Sequence, residues 1–151
     1  MWTTLEPEIV ARLPRPAMNG TATASPSSET VEIAEGWEAC IDKLLEYRRY
    51  EPDWDGLKTP PPDPETVDSA IILAVLLRQS RFNPPSWTVP GFDGSVGFEW
   101  QWPDKTILEV DVVEPFVADL FLHTPDRETE HWRLKGSCSG FESAAPAGAD
   151  Q

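Results

Sequence analysis

The sequence is poor in cysteine, in positive charge and in long apolar runs. Two cysteines, Cys40 and Cys138, in 151 residues cannot build a disulfide framework and read as free thiols of a reducing compartment. Lys plus Arg number 12 against 26 Asp plus Glu, for a net charge of −14. That balance argues against a nucleic-acid backbone or an anionic membrane as partner, and it leaves a basic protein as the natural one. The longest uninterrupted apolar run, Ala70 to Leu77, is far short of the roughly 20 residues that cross a bilayer. The first residues, MWTTLEPEIVARLP, have no cationic start followed by an apolar block. No secretory signal is visible there, and a cytoplasmic location is expected.

Recognisable catalytic equipment is missing too. The chain contains no Walker loop, nucleophile elbow, zincin helix or dinucleotide fingerprint. No Cys or His pair has zinc-like spacing, and His123 and His131 stand on either side of a predicted turn, so neither a metal nor a cofactor is expected. No internal repeat is apparent.

What remains is the composition of one domain with low-complexity ends. Residues 1–28 read as mostly disordered, with a short helix over LEPEIVARL in which Leu5, Ile9 and Leu13 share a face. Residues 29–135 form a single α+β domain, and 136–151 read as a disordered tail.

The first long helix is predicted from about Thr30 to Tyr50. Trp37, Cys40, Ile41, Leu44, Leu45 and Tyr47 fall on one broad face, and Glu35, Glu38, Asp42 and Glu46 form an adjoining acidic stripe. Pro52 is expected to end it near Glu51. In YEPDWDGLKTPPPDPETVDSA, Asp53-Trp54-Asp55-Gly56 reads as a tight turn, with Gly56 taking a conformation other residues resist and Trp54 offering a large surface to bury. Asp53 and Asp55 could instead ligate a cation or a hydroxyl, for which the neighbouring sequence names no third oxygen. Asp63 is a good N-cap, Pro64 suits the first helical position and Glu65 the first turn. The second helix, Pro64 to about Ser80, is apolar nearly all round, as suits burial within the domain or, alternatively, a homodimer seam.

From Ser86 the apolar period becomes two. SWTVP, SVGFEWQW, TILEVDVV and FVADLFLH read as strands joined by short turns, with TEHWRLK as a candidate fifth. Val96, Phe98, Trp100 and Trp102 oppose Glu99, and Leu108, Val110 and Val112 oppose Glu109 and Asp111. Ala118, Leu120 and Leu122 oppose Asp119 and His123. If the strands pair in register, the five polar side chains project from one wet face. Clustered carboxylates of this kind bind cations, divide acid and base roles, meet a partner, or simply keep a sheet soluble.

The W-D-G turn before a Pro-rich link and an Ala-containing helix, followed by DGSVGFEW and LEVDV in consecutive strands, resembles small bacterial proteins that share a W-D-G turn and a G-x-V-x-x-E-W strand. The likeness covers about Trp37 to Leu122. It implies a bacterial origin and the order helix, helix, sheet, and it carries no assigned activity and no catalytic residues.

The expected fold is therefore α+β, with two helices packed on one face of a four- to five-stranded antiparallel sheet. Residues 28–56 hold nine acids and three bases, and residues 86–124 seven acids and one base. With the charge so concentrated, the expected function is non-enzymatic binding of a basic protein partner, in the manner of an antitoxin, an immunity protein or a DNA mimic. The candidate contact residues are Glu35, Glu38, Asp42 and Glu46 on the helix, and Glu99, Glu109, Asp111 and Asp119 on the sheet. A small enzyme or ligand-binding domain on the sheet carboxylates, and a homodimer joined through the second helix, are the alternatives.

Overall fold

The computed structural model describes residues 26–137 and 140–146, with side chains for residues 31–136. The short helix expected in LEPEIVARL, and Cys138, lie outside the described residues. Two helices, α1 (Pro26–Tyr47) and α2 (Pro64–Gln79), precede six strands: β1 (Trp87–Pro90), β2 (Val96–Gln101), β3 (Ile107–Glu114), β4 (Val117–His123), β5 (Glu130–Ser137) and β6 (Gly140–Pro146). The fold is α+β, and both helices pack against one face of the antiparallel sheet.

Helix α1 ends earlier than Pro52 requires. Arg49 N–H donates to Glu46 O and Tyr50 N–H to Tyr47 O, at 3.0 and 3.1 Å, so the last turn tightens to i→i+3 bonds before the proline is reached. Trp37, Cys40, Leu44 and Tyr47 are buried, whereas Leu45 is exposed. Leu45 stands a further 100° round the helix from Leu44, which carries it past the contact with the sheet. The indole of Trp37 is fully buried and donates to Phe82 O at 2.9 Å, so its polar edge is satisfied while its rings fill the core.

The loop after α1 closes on itself. Gly56 takes a φ of +74° and its N–H donates to Asp53 O at 3.1 Å, the turn that the sequence predicts. Asp53 Oδ1 accepts from Lys58 N–H, and Asp55 accepts from Leu57 N–H and the Thr59 hydroxyl. Both aspartates thus serve the backbone that carries them. Trp54 does not reach the core: half-buried, it stacks on Tyr50 with ring centroids 4.8 Å apart and donates to Pro60 O at 3.2 Å. It braces the loop against the end of α1.

Asp63 caps α2 by accepting from Thr66 N–H at 3.2 Å. The helix buries Val67, Ala70, Leu73, Ala74 and Leu77, half-buries Ile71, Ile72 and Leu76, and exposes Val75 by 36%. Arg81, with a φ of 66°, then reverses the chain, and Phe82 N–H returns to Leu77 O at 3.1 Å. This reversal delivers Phe82 to the core without a glycine.

The sheet is an uninterrupted meander in the order β1-β2-β3-β4-β5-β6. Its register aligns Phe98 with Val110, Val110 with Leu120 and Leu120 with Trp132 on the face beneath the helices. Burying each such large side chain contributes about 1.5–3 kcal/mol. Among the described residues no buried side-chain nitrogen or oxygen lacks a hydrogen bond. The fifth strand of the sequence reading is present. A sixth, β6, pairs with β5 inside the stretch 136–151 that composition assigns to a tail. Backbone groups alone can make that ladder, which is why apolar periodicity gives no sign of it.

Candidate functional site

The face of the sheet turned away from the helices carries the candidate site. Cross-strand pairing builds two rows on it. One runs Trp87, Glu99, Glu109, Phe121, His131, and the next runs Val89, Gly97, Asp111, Asp119, Arg133. His123 pairs with Ile107 beside them. Glu99, Glu109, Asp111, Asp119 and His123 therefore share one face, as the period of two predicts. Glu35, Glu38, Asp42 and Glu46 are all exposed on α1. Since α1 covers the opposite side of the sheet, the structure does not bring the two acidic sets together.

The rows differ in charge from one end to the other. Asp119, 9% exposed, accepts a two-pronged bond from Arg133, at 2.7 Å from Nε and 2.8 Å from an Nη. His131 Nε2 lies 3.2 Å from the same carboxylate, and its ring stacks on Phe121 at 4.3 Å. The Arg133 hydrogen bond holds the Asp119 carboxyl below the usual carboxylate range, with burial opposing and His131 assisting. Glu109 meets His123 Nε2 at 2.9 Å, and His123 Nδ1 is 2.9 Å from the Thr129 hydroxyl. Along β4 and β5 the charge of Asp119 is thus met by Arg133, and Glu109 of β3 has the His123 ring beside it.

Glu99 on β2 and Asp111 on β3 are not met in this way among the described residues. Among those residues Glu99 is hydrogen-bonded only to the neutral amide of Gln101, and neither Glu99 nor Asp111 has a cationic partner. Burial pushes the Asp111 carboxyl up, and Glu109, Asp119 and Asp93 add to the rise by repulsion. Gly97 makes room for this acid. A Cβ there would lie 2.9 Å from Asp111 Oδ1 and 3.3 Å from a methyl of Val89. Along the β1–β3 half of the face, Trp87 is 52% and Val89 48% exposed, with Phe92 exposed at the hairpin tip.

The sheet edge beside them is blunt. Tyr47 donates its hydroxyl to Thr88 O at 2.8 Å, and Pro90 has no N–H to offer, so β1 is ill suited to receive another strand. Thr88 also directs its hydroxyl to Cys40 Sγ at 3.4 Å. Cys40 is buried, and desolvation pushes its thiol up, which keeps it unreactive.

Sequence reasoning missed Trp87, Val89, His131 and Arg133. His131 and Arg133 were signalled by the alternation of TEHWRLK, where they fall on the parity opposite Trp132 and Leu134. In SWTVP the apolar Trp87 and Val89 instead alternate as core residues would, and only their pairing with Glu99 and Gly97 puts them on the open face. Among the described residues no group of three or more His, Cys, Asp or Glu is placed to hold a metal ion, and no helix is long and apolar enough to cross a membrane. Set against protein-family models, curated proteins and solved structures, the chain finds no match.

Proposed function

We propose that the chain is a non-enzymatic, acidic interaction protein of the bacterial cytoplasm that binds a basic protein partner, as antitoxins, immunity proteins and DNA mimics do. The observation that supports it most is the β1–β3 half of the open face, where Glu99 and Asp111, without cationic partners among the described residues, lie beside a half-exposed indole. Uncompensated charge of one sign accelerates the approach of an oppositely charged protein, and an exposed aromatic beside it supplies the short-range contact that charge alone does not. The acidic stripe of α1 adds to the long-range field from the other side. The two alternative readings gain less. An enzyme or ligand site on the same carboxylates has no observation of its own in favour. A seam through α2 would have Val75 as its principal exposed apolar side chain.

The test begins with a pull-down from the source cell, followed by kinetics on the purified partner. Association should slow steeply as salt shortens the Debye length below about 10 Å. The triple reversal Glu38→Lys, Asp42→Lys, Glu46→Lys should lower the association rate without unfolding the protein. A partner that is neutral or acidic, or association indifferent to salt, defeats the reading.

A further inference from the structure

We propose that the β1–β3 half of the open sheet face is the docking surface, and that its occupant is an arginine-bearing segment of the basic partner. The inference rests on the function proposed above and gives it a place and a chemistry. Trp87 and Glu99 are direct cross-strand partners, which sets their Cβ atoms about 5 Å apart on the same face. A guanidinium lying on the indole, within about 6 Å of its centroid, reaches the Glu99 carboxylate in the same pose. Its planar fork suits both contacts at once, whereas a lysine ammonium serves only one of them well. Asp111 lies on the next row, beside Val89 and facing Gly97. It offers a second carboxylate across a floor that the missing side chain keeps low.

Other occupants fit less well. A second copy of the chain would set Glu99, Glu109 and Asp111 against like charges of the same patch, which repel. Strand addition at β1 is opposed by the Tyr47 hydroxyl on Thr88 O and by Pro90. On α1 Lys43 stands among the acids, and Arg48 and Arg49 follow directly after its last turn, Arg48 being paired with Asp68 at 2.8 Å. The open face, unlike α1, sets its carboxylates beside an exposed indole, since Trp37 and Tyr47, the aromatic side chains described on α1, are buried.

The probes are hexa-arginine and hexa-lysine peptides, titrated at low ionic strength into the full-length protein with backbone and indole signals followed by NMR. Hexa-arginine should shift Trp87, Val89 and Glu99 and bind several-fold more tightly than hexa-lysine. Trp87→Ala and Glu99→Lys should each weaken it by about fivefold or more and reduce the preference for arginine, while the α1 triple reversal weakens both peptides alike through the long-range field and leaves the ratio of their affinities unchanged. Glu99→Lys, at a half-buried position on the open face, keeps the comparison valid should Trp87→Ala perturb the edge strand. Shifts confined to α1 would overturn the docking surface and leave the basic-partner reading standing. Equal affinity for the two peptides would overturn the arginine assignment. No shift at either surface, or self-association that protects Trp87, would sink both.

Discussion

Asp111 and Asp119 face each other across the β3–β4 ladder, yet their carboxyls are pushed in opposite directions. Asp119 is gripped by Arg133 and held low. Asp111 is half-buried, has no cation of its own among the described residues, and is pushed up by burial, with Glu109, Asp119 and Asp93 adding repulsion. One acid of the pair helps hold the fold and the other opposes it at neutral pH.

The signs of their pH dependences follow. The contribution of Asp119 is present above the unfolded value and fades as pH falls through its lowered folded value. That of Asp111 is present below the unfolded value and is lost as pH rises through its raised folded value. Asp119→Asn should therefore cost about 1–3 kcal/mol at neutral pH. Asp111→Asn should raise the melting temperature by roughly 2–4 °C at neutral pH and lose that gain toward about pH 4. Thermal scans at both pH values check the pair, and a destabilised Asp111→Asn at neutral pH refutes the assignment.

A glycine inside a helix normally costs about 0.5–1 kcal/mol relative to alanine. At Gly36 of α1 the sign should reverse. A Cβ there would come within 2.4 Å of the Pro84 ring, which cannot swing aside as a flexible chain could. Gly36→Ala should destabilise by roughly 1–3 kcal/mol, measured by urea unfolding. A gain would show that the contact between α1 and the 83–85 segment yields freely.

Two tryptophans separate core from brace. Trp37→Ala should cost about 3–5 kcal/mol, as large core truncations do. Trp54→Ala, which loses stacking on Tyr50 and one bond to Pro60 O, should cost only about 1–2 kcal/mol. Equal losses in chemical denaturation would place Trp54 in the core after all.

Tyr47 joins α1 to the sheet edge through its hydroxyl, and burial pushes that hydroxyl up to about 12, with Tyr50, Glu46 and Cys40 adding repulsion. In a spectrophotometric titration of the phenols its ionisation should be the late, alkaline step. Tyr47→Phe should remove that step and cost about 1 kcal/mol. Retention of the late step would assign it to Tyr50.

The readable parts of this chain are those where one physical signal dominates. Asp63-Pro64 at the start of α2 and Gly56 in the turn behave as their chemistry dictates, because capping and positive φ are decided by neighbours in sequence. The strands were legible because strict alternation separates Val110 from Asp111 whatever lies around them. Trp54 was misjudged because size says how much a side chain can bury and nothing about whether the core comes within its reach. The partition of the open face was hidden for a related reason. Only the register tells that Asp119 meets Arg133 while Asp111 meets Gly97, since the residues of each pair come from separate strands.

The unbroken strand order has a consequence for how the chain comes into being. Every strand pairs with the one made just before it, so no segment has to wait for a distant partner, and each pairing closes only a short loop at small entropic cost. The sheet can grow like a zipper as synthesis proceeds, beneath helices that have already left the ribosome. At each stage a single fresh edge is open, and the next strand covers it.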